Sequence, residues 1–128
     1  MRNESAHPKN LSQLEQELLE VLWTMGPANS EQVREALARK RPLKDSTIRT
    51  ILRRLHEKRF VDFKVEGRTY IYRAVEQPRS LAARAVRQII DRFCQGSVEE
   101  LLTGMVDGEI LDRSELRELA RKIGRRRS

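Results

Sequence analysis

The sequence predicts a mainly α fold in which three helices are followed by a two-stranded hairpin and then by further helices. Three observations carry that reading. Apolar residues recur at helical spacing as far as Leu55, the pattern turns to alternation between Phe60 and Ala74, and helical spacing resumes after Gln77-Pro78. Three helices and then a hairpin is the element order of a winged helix-turn-helix DNA-binding domain. The expected division is an N-terminal arm at residues 1–10, a winged-helix domain at 11–76, and a helical dimerisation region with a basic tail at 77–128.

Residues 1–10 carry Asn, His, Pro and Lys without periodicity, as a loose arm would. The first helix is expected from Ser12, which is spaced to form a capping box with Glu15 and is followed by Leu14, Leu18, Val21, Leu22 and Met25 at helical positions. Gly26-Pro27 stops it. Asn29 and Gln32 form a second capping box, opening a helix with Val33, Ala36 and Leu37 on its inner face and Pro42 at its end. The third helix starts near Lys44 or Asp45 and buries Ile48, Ile51, Leu52 and Leu55. Phe60 to Val65 reads as one strand, Glu66-Gly67-Arg68 as a tight turn, and Thr69 to Ala74 as the return strand. Tyr70 and Tyr72 fall on one side of that strand, with Thr69, Ile71 and Arg73 on the other.

The other stripe of the third helix is Ser46, Arg49, Thr50 and Arg53, with Thr47 and Arg54 at its margins. Hydroxyls and guanidinium groups on one exposed face suit the major groove, where Arg reads guanine edges and Thr meets a thymine methyl or a phosphate. Charge supports this. Between Arg39 and Arg59 nine basic residues face two acidic ones, so this segment alone carries +7, the net charge of the whole chain. Such a patch fits a polyanionic partner, because neutralising phosphates releases condensed counterions. Lys64 and Arg68, near the wing tip, are the candidate phosphate contacts.

In the C-terminal part, Ser80 is placed to cap a helix running to about Gln95, with Leu81, Ala82, Ala85, Val86, Ile89, Ile90 and Phe93 on its apolar side. Gly96 ends it. Capping boxes at Ser97 with Glu100 and Asp112 with Glu115 open short helices near 98–105 and 113–123. Leu101, Leu102 and Met105 face inward from the first, and Leu116, Leu119, Ala120 and Ile123 from the second. Three short helices bury such stripes poorly against one another. Docking on a second copy solves that, and the expected dimerisation residues are Leu81, Ala85, Ile89, Ile90, Phe93, Leu101, Leu102, Met105, Leu116, Leu119 and Ile123.

Residues 11–123 resemble the penicillinase-repressor family of winged-helix regulators, the BlaI/MecI type. The resemblance is carried by Leu11-Ser12 and Leu22-Trp23, by Thr47-Ile48-Arg49-Thr50 with Arg54-Leu55 and Lys58, by Tyr70 to Tyr72, and by Gly96-Ser97 before Leu101-Leu102. It implies a homodimer that binds a palindromic double-stranded DNA operator and blocks transcription. It also implies a partner, a membrane-bound sensor protease that cuts the repressor in the helix after Gly96-Ser97. The corresponding bond is Gly104-Met105, where family members that are cut carry an Asn-Phe pair. A copper-sensing branch uses a cysteine-rich C-terminus, and this chain has Cys94 alone.

A single cysteine excludes an internal disulfide and a multi-cysteine zinc site, and with only His7 and His56 added neither a metal nor a cofactor is expected. No nucleophile adjoins a histidine in a catalytic motif and no glycine loop cradles phosphate, so the chain is not read as an enzyme. Trp23 is expected in the core, and His56 at its edge or in solvent. No apolar run is long enough for a bilayer and the first residues are polar, so a cytoplasmic protein without membrane insertion is expected. Two other readings remain open: a winged-helix adaptor whose C-terminal stripe binds a different protein, and a regulator controlled by a directly bound small molecule.

Overall fold

Each capping box at the front of the chain does close a helix start in the computed structural model, which describes residues 10–127. The arm expected at 1–10 lies outside the described residues apart from Asn10. Helix α1 (Gln13–Met25) is capped by Ser12, and α2 (Ser30–Leu37) by Asn29, each with both reciprocal bonds of the box. Gly26 ends α1 at φ 84°, a left-handed value that glycine adopts without steric cost. Helix α3 spans Asp45–Glu57, with Lys44 at its N-cap making no side-chain bond.

Two expectations for α2 are corrected. It ends at Leu37, before Pro42, because the Leu37 carbonyl accepts the N–H groups of both Lys40 and Arg41 and closes a turn there. Ala36 is exposed, and the buried pair is Val33 and Leu37, one helical turn apart.

The wing consists of β1 (Val61–Glu66) and β2 (Thr69–Ala74), antiparallel, with Phe63 opposite Tyr72 and Lys64 opposite Ile71. Phe60, expected to open the strand, precedes it and is buried. Gly67 turns the hairpin at φ 64°. A bridge missing from the sequence reading joins Ala28 to Tyr72 through two backbone hydrogen bonds of 2.8 and 2.9 Å, tying the segment before α2 to the inner side of the wing.

The core lies under these elements. Leu18, Leu19 and Leu22 of α1, Val33 and Leu37 of α2, and Ile48, Ile51, Leu52 and Leu55 of α3 close on Phe60 and Val61. Each such side chain contributes about 1.5–3 kcal/mol on burial. Trp23, expected in the core, is only partly buried and packs against its edge, because its indole N–H reaches out to donate to the Glu76 carbonyl at 2.8 Å. Leu81, expected on the dimerisation stripe, belongs instead to this core. Glu17 holds Arg41 through two hydrogen bonds of 2.7 and 3.0 Å, and this pairing keeps the Glu17 carboxyl below its ordinary pKa.

The chain divides into two compact units, the first ending at Ala85 and the second beginning at Val86. Helix α4 spans Pro78–Phe93. Pro78 is its first residue, the position where a missing N–H costs nothing, so Ser80 lies within the first turn and is not the cap. The helix stops at Phe93, followed by left-handed Gln95 and Gly96. Helix α5 spans Val98–Asp107; Ser97 accepts the Glu100 N–H, but its own N–H goes to the Cys94 carbonyl, so only half of the expected box forms. Asp112 and Glu115 complete theirs, and α6 runs from Arg113 to Arg127, beyond the 123 expected and through the basic tail.

The second unit lacks a comparable core. Ile90 is buried, whereas α5 contains no buried residue. Leu101, Leu102, Met105 and Leu116 are half-buried, and Ile89, Leu119 and Ile123 are exposed. Phe93 is 71% exposed, and Ile110, in the turn between α5 and α6, is 74% exposed.

Candidate nucleic-acid interface

The amphipathic winding of α3 decides what the site can present. With Ile48, Ile51, Leu52 and Leu55 held in the core, Ser46, Arg49, Arg53 and Arg54 are left exposed, and Thr47 and Thr50 half-buried. The Thr50 hydroxyl donates to the Ser46 carbonyl at 3.0 Å, so what it leaves outward is its methyl group.

The wing faces this helix across a cleft of about 600 Å³ lined by Arg49 and Arg53 of α3, Arg68, Thr69, Tyr70 and Tyr72 of the wing, and Asn29, Ser30, the acid Glu31 and Arg34 at the start of α2. Three expected residues thus meet: Arg49, Arg53 and Arg68. Tyr72 reports the proximity. Burial and the neighbouring Tyr70 push its phenol pKa up, while Arg53 and Arg49 pull it down, leaving it raised and the hydroxyl protonated at neutral pH. Among the described residues no acid pairs with Arg53, Arg54 or Arg68, so their charge is available to a ligand.

Arg54 and Lys64 do not line the cleft. Lys64 lies on the opposite face of the wing from Tyr70 and Tyr72, as strand alternation requires, and pairs with Glu66 at 3.0 Å. Conversely, the cleft contains groups that the sequence reading missed. Arg34 follows the buried Val33, and its Nε is buried without a hydrogen-bond partner. No sequence period links it to the wing. Asp45, at the first turn of α3, also lines the cleft and pairs with Arg49 at 3.0 Å.

A ring network anchors the wing. His56 meets Phe63 edge-on at 4.7 Å between centroids, and Phe63 stacks on Tyr70 at 4.6 Å. The last turn of α3 is thereby tied to the strand that carries Tyr70. His56 is half-buried, as expected for the edge of the core. Chemically, the surface offers guanidinium forks, hydroxyls and phenols, a set that donates hydrogen bonds to phosphates and base edges. No group of three metal-ligating side chains occurs among the described residues, and no described helix is long and apolar enough to cross a membrane.

Comparison with known proteins supports the winged-helix fold. The family model described as penicillinase repressor matches residues 11–125. An uncharacterised 16.5 kDa protein of Latilactobacillus sakei is 28% identical over 105 residues, covering 82% of this chain and 72% of that one. The methicillin resistance regulatory protein MecI of Mammaliicoccus sciuri is 25% identical over 109 residues, with 85% and 89% covered. Among solved structures, the DNA-binding domain of the repressor BlaI superposes with a TM-score of 0.51 at 26% identity, covering 56% of this chain and 88% of that one.

Proposed function

The chain belongs to the penicillinase repressor family, and from that premise we propose that it is a homodimeric repressor that binds a palindromic operator through α3 and the wing. The observation that carries the reading is the cleft in which Arg49 and Arg53 meet Arg68. In the proposed complex Ser46, Thr47, Arg49, Thr50 and Arg53 face base edges, and Arg54, Arg68 and Arg34 take phosphates. Lys64, paired and on the far face, contributes only long-range charge.

The dimer is supported by what the second unit leaves exposed. Phe93, Ile110, Leu119 and Ile123 expose large apolar surface, which a second copy related by a two-fold axis would cover with the same patch. Each protomer then presents one α3 to one half-site, and operator symmetry mirrors that of the protein. The proposed induction step is cleavage of Gly104-Met105 in α5 by a membrane-bound sensor protease, which would weaken the dimer. The proposed location is the cytoplasm.

The test is selection of duplexes from a randomised library by the purified protein, followed by binding titrations of the selected duplex and a scrambled control at several salt concentrations. A selected palindrome bound at least ~10³-fold more tightly than the control is the expected result. Equal, steeply salt-dependent binding to both would reduce α3 to a nonspecific basic patch and overturn the proposal.

A further inference from the structure

Asp45 is an acid placed among arginines. It lies in the first turn of α3 and lines the same cleft as Arg34, Arg49, Arg53 and Arg68. A carboxylate there repels phosphate, so by charge alone it weakens DNA binding. Its geometry offers a return for that cost. Asp45 Oδ2 is 3.0 Å from Arg49 Nε, one helical turn along, although the two side chains are 41% and 66% exposed. Arg53 and Glu57 share that spacing without forming a pair among the described residues.

Nε is the guanidinium nitrogen nearest the carboxylate, in an ion pair that lacks a hydrogen bond, and that side of approach matters. Nε lies on the flank of the guanidinium, so a carboxylate held there leaves the two terminal amino groups free. Those are the groups that pair end-on with O6 and N7 of guanine. We propose that Asp45 is a specificity-determining positioning residue, which holds Arg49 in a base-reading orientation and whose charge disfavours capture of Arg49 by a backbone phosphate. The pair thus restricts the rotamers of Arg49 before DNA arrives and penalises the arrangement that carries no sequence information. Removing the charge frees Arg49 for phosphate and trades selectivity for affinity. The inference rests on the DNA-binding reading above.

The experiment is a double-mutant cycle on the duplex selected by the wild-type protein and on its scrambled control. Asp45→Asn, Asp45→Ser, Arg49→Ala and the two combinations are titrated, with thermal melts recorded on each. Asp45→Ser removes the charge with a shorter side chain, so that a new contact made by the Asn amide of Asp45→Asn is not mistaken for loss of the charge. The expected result is that both Asp45 variants bind scrambled duplex more tightly and lose about 10-fold in the ratio of selected to scrambled affinity. In the Arg49→Ala background the same changes should leave that ratio unaltered, which a purely structural role for Asp45 would not produce. An unchanged ratio in the single variants overturns the proposal. So does an equal loss with and without Arg49, which would mean that Asp45 reads a base itself. A wild-type protein that selects no sequence overturns the repressor reading and this inference together, a result distinct from selection that is indifferent to Asp45.

Discussion

Lys58, at the end of α3, donates to both carboxylate oxygens of Glu15 in the first turn of α1, at 2.9 and 3.0 Å. Glu15 is only 3% exposed and also accepts the Ser12 N–H at 2.9 Å. One carboxylate therefore completes a helix cap and fixes the C-terminal end of α3. Loss of hydrogen bonds to a charged group predicts that Glu15→Ala destabilises the fold by about 2 kcal/mol, read from urea melts at pH 7. A control change at the exposed Glu20 should stay within ~0.5 kcal/mol.

The same pair gives a pH dependence of defined sign. Burial alone would raise the Glu15 pKa, but hydrogen bonds from Lys58 and Ser12 and the charge of Lys58 outweigh it and hold the carboxyl below its ordinary 4.5. Stability from a carboxyl lowered in the folded state is present above the ordinary value and is lost as pH falls through the folded one. The gap between wild type and Glu15→Ala should therefore narrow as the melts are taken from neutral pH to well below 4.5. A constant gap would show that the Lys58 pair contributes nothing through its charge.

Arg53 and Arg68 face one cleft from different elements, and their replacement should have different effects. Arg53→Ala is expected to cost about 1–3 kcal/mol on a selected duplex and to relax preference at one base pair, as loss of a guanine contact does. Arg68→Ala should weaken selected and scrambled duplexes alike and reduce the salt slope by about one unit. Titrations at four salt concentrations separate the two outcomes.

Phe93 and Ile110 are exposed within the protomer, so a charge there leaves the protomer's own packing untouched while opposing burial against a second copy. Phe93→Asp or Ile110→Asp should convert a dimer into a monomer in sedimentation velocity, without lowering the melting temperature of the first unit. A wild-type protein that sediments as a monomer would remove the dimer from the proposal.

What could be read in advance was what depends on short-range spacing. Ser12 with Glu15, Asn29 with Gln32, Ser97 with Glu100 and Asp112 with Glu115 are each three residues apart; three of these boxes close, and the one at Ser97 closes by half because the Cys94 carbonyl takes the Ser97 N–H. The exposed face of α3 follows directly from its buried stripe. Ala36 was misread because positions three and four after Val33 are equally good by period, and contact with the core selects Leu37. Ile110 sits in a turn, where no period marks it. The face that Lys64 occupies was legible by counting strand parity against Tyr70, and the proximity of Lys64 and Arg68 along the chain hid it. The meeting of Arg34 with Arg68 depends on how α2 approaches the wing, which no local pattern encodes.

Gly104 occupies the second turn of α5, in the bond proposed for cleavage. A protease binds its substrate extended, so the helix must unwind locally before the Gly104-Met105 bond can be cut. Glycine in a helix interior is about 1 kcal/mol less favourable than alanine, because it has more backbone freedom to lose. A Cβ at position 104 would meet no atom within 4 Å, so Gly104→Ala should stabilise α5 without strain. When opening is fast relative to cutting, the cleavage rate follows the open population, and ~1 kcal/mol corresponds to about a fivefold reduction. Limited digestion with a protease that cuts before large apolar residues, followed by mass spectrometry, should show cleavage before Met105 slowed by that factor in Gly104→Ala. Cleavage at unchanged rate would mean that the bond is reached without unwinding the helix around Gly104.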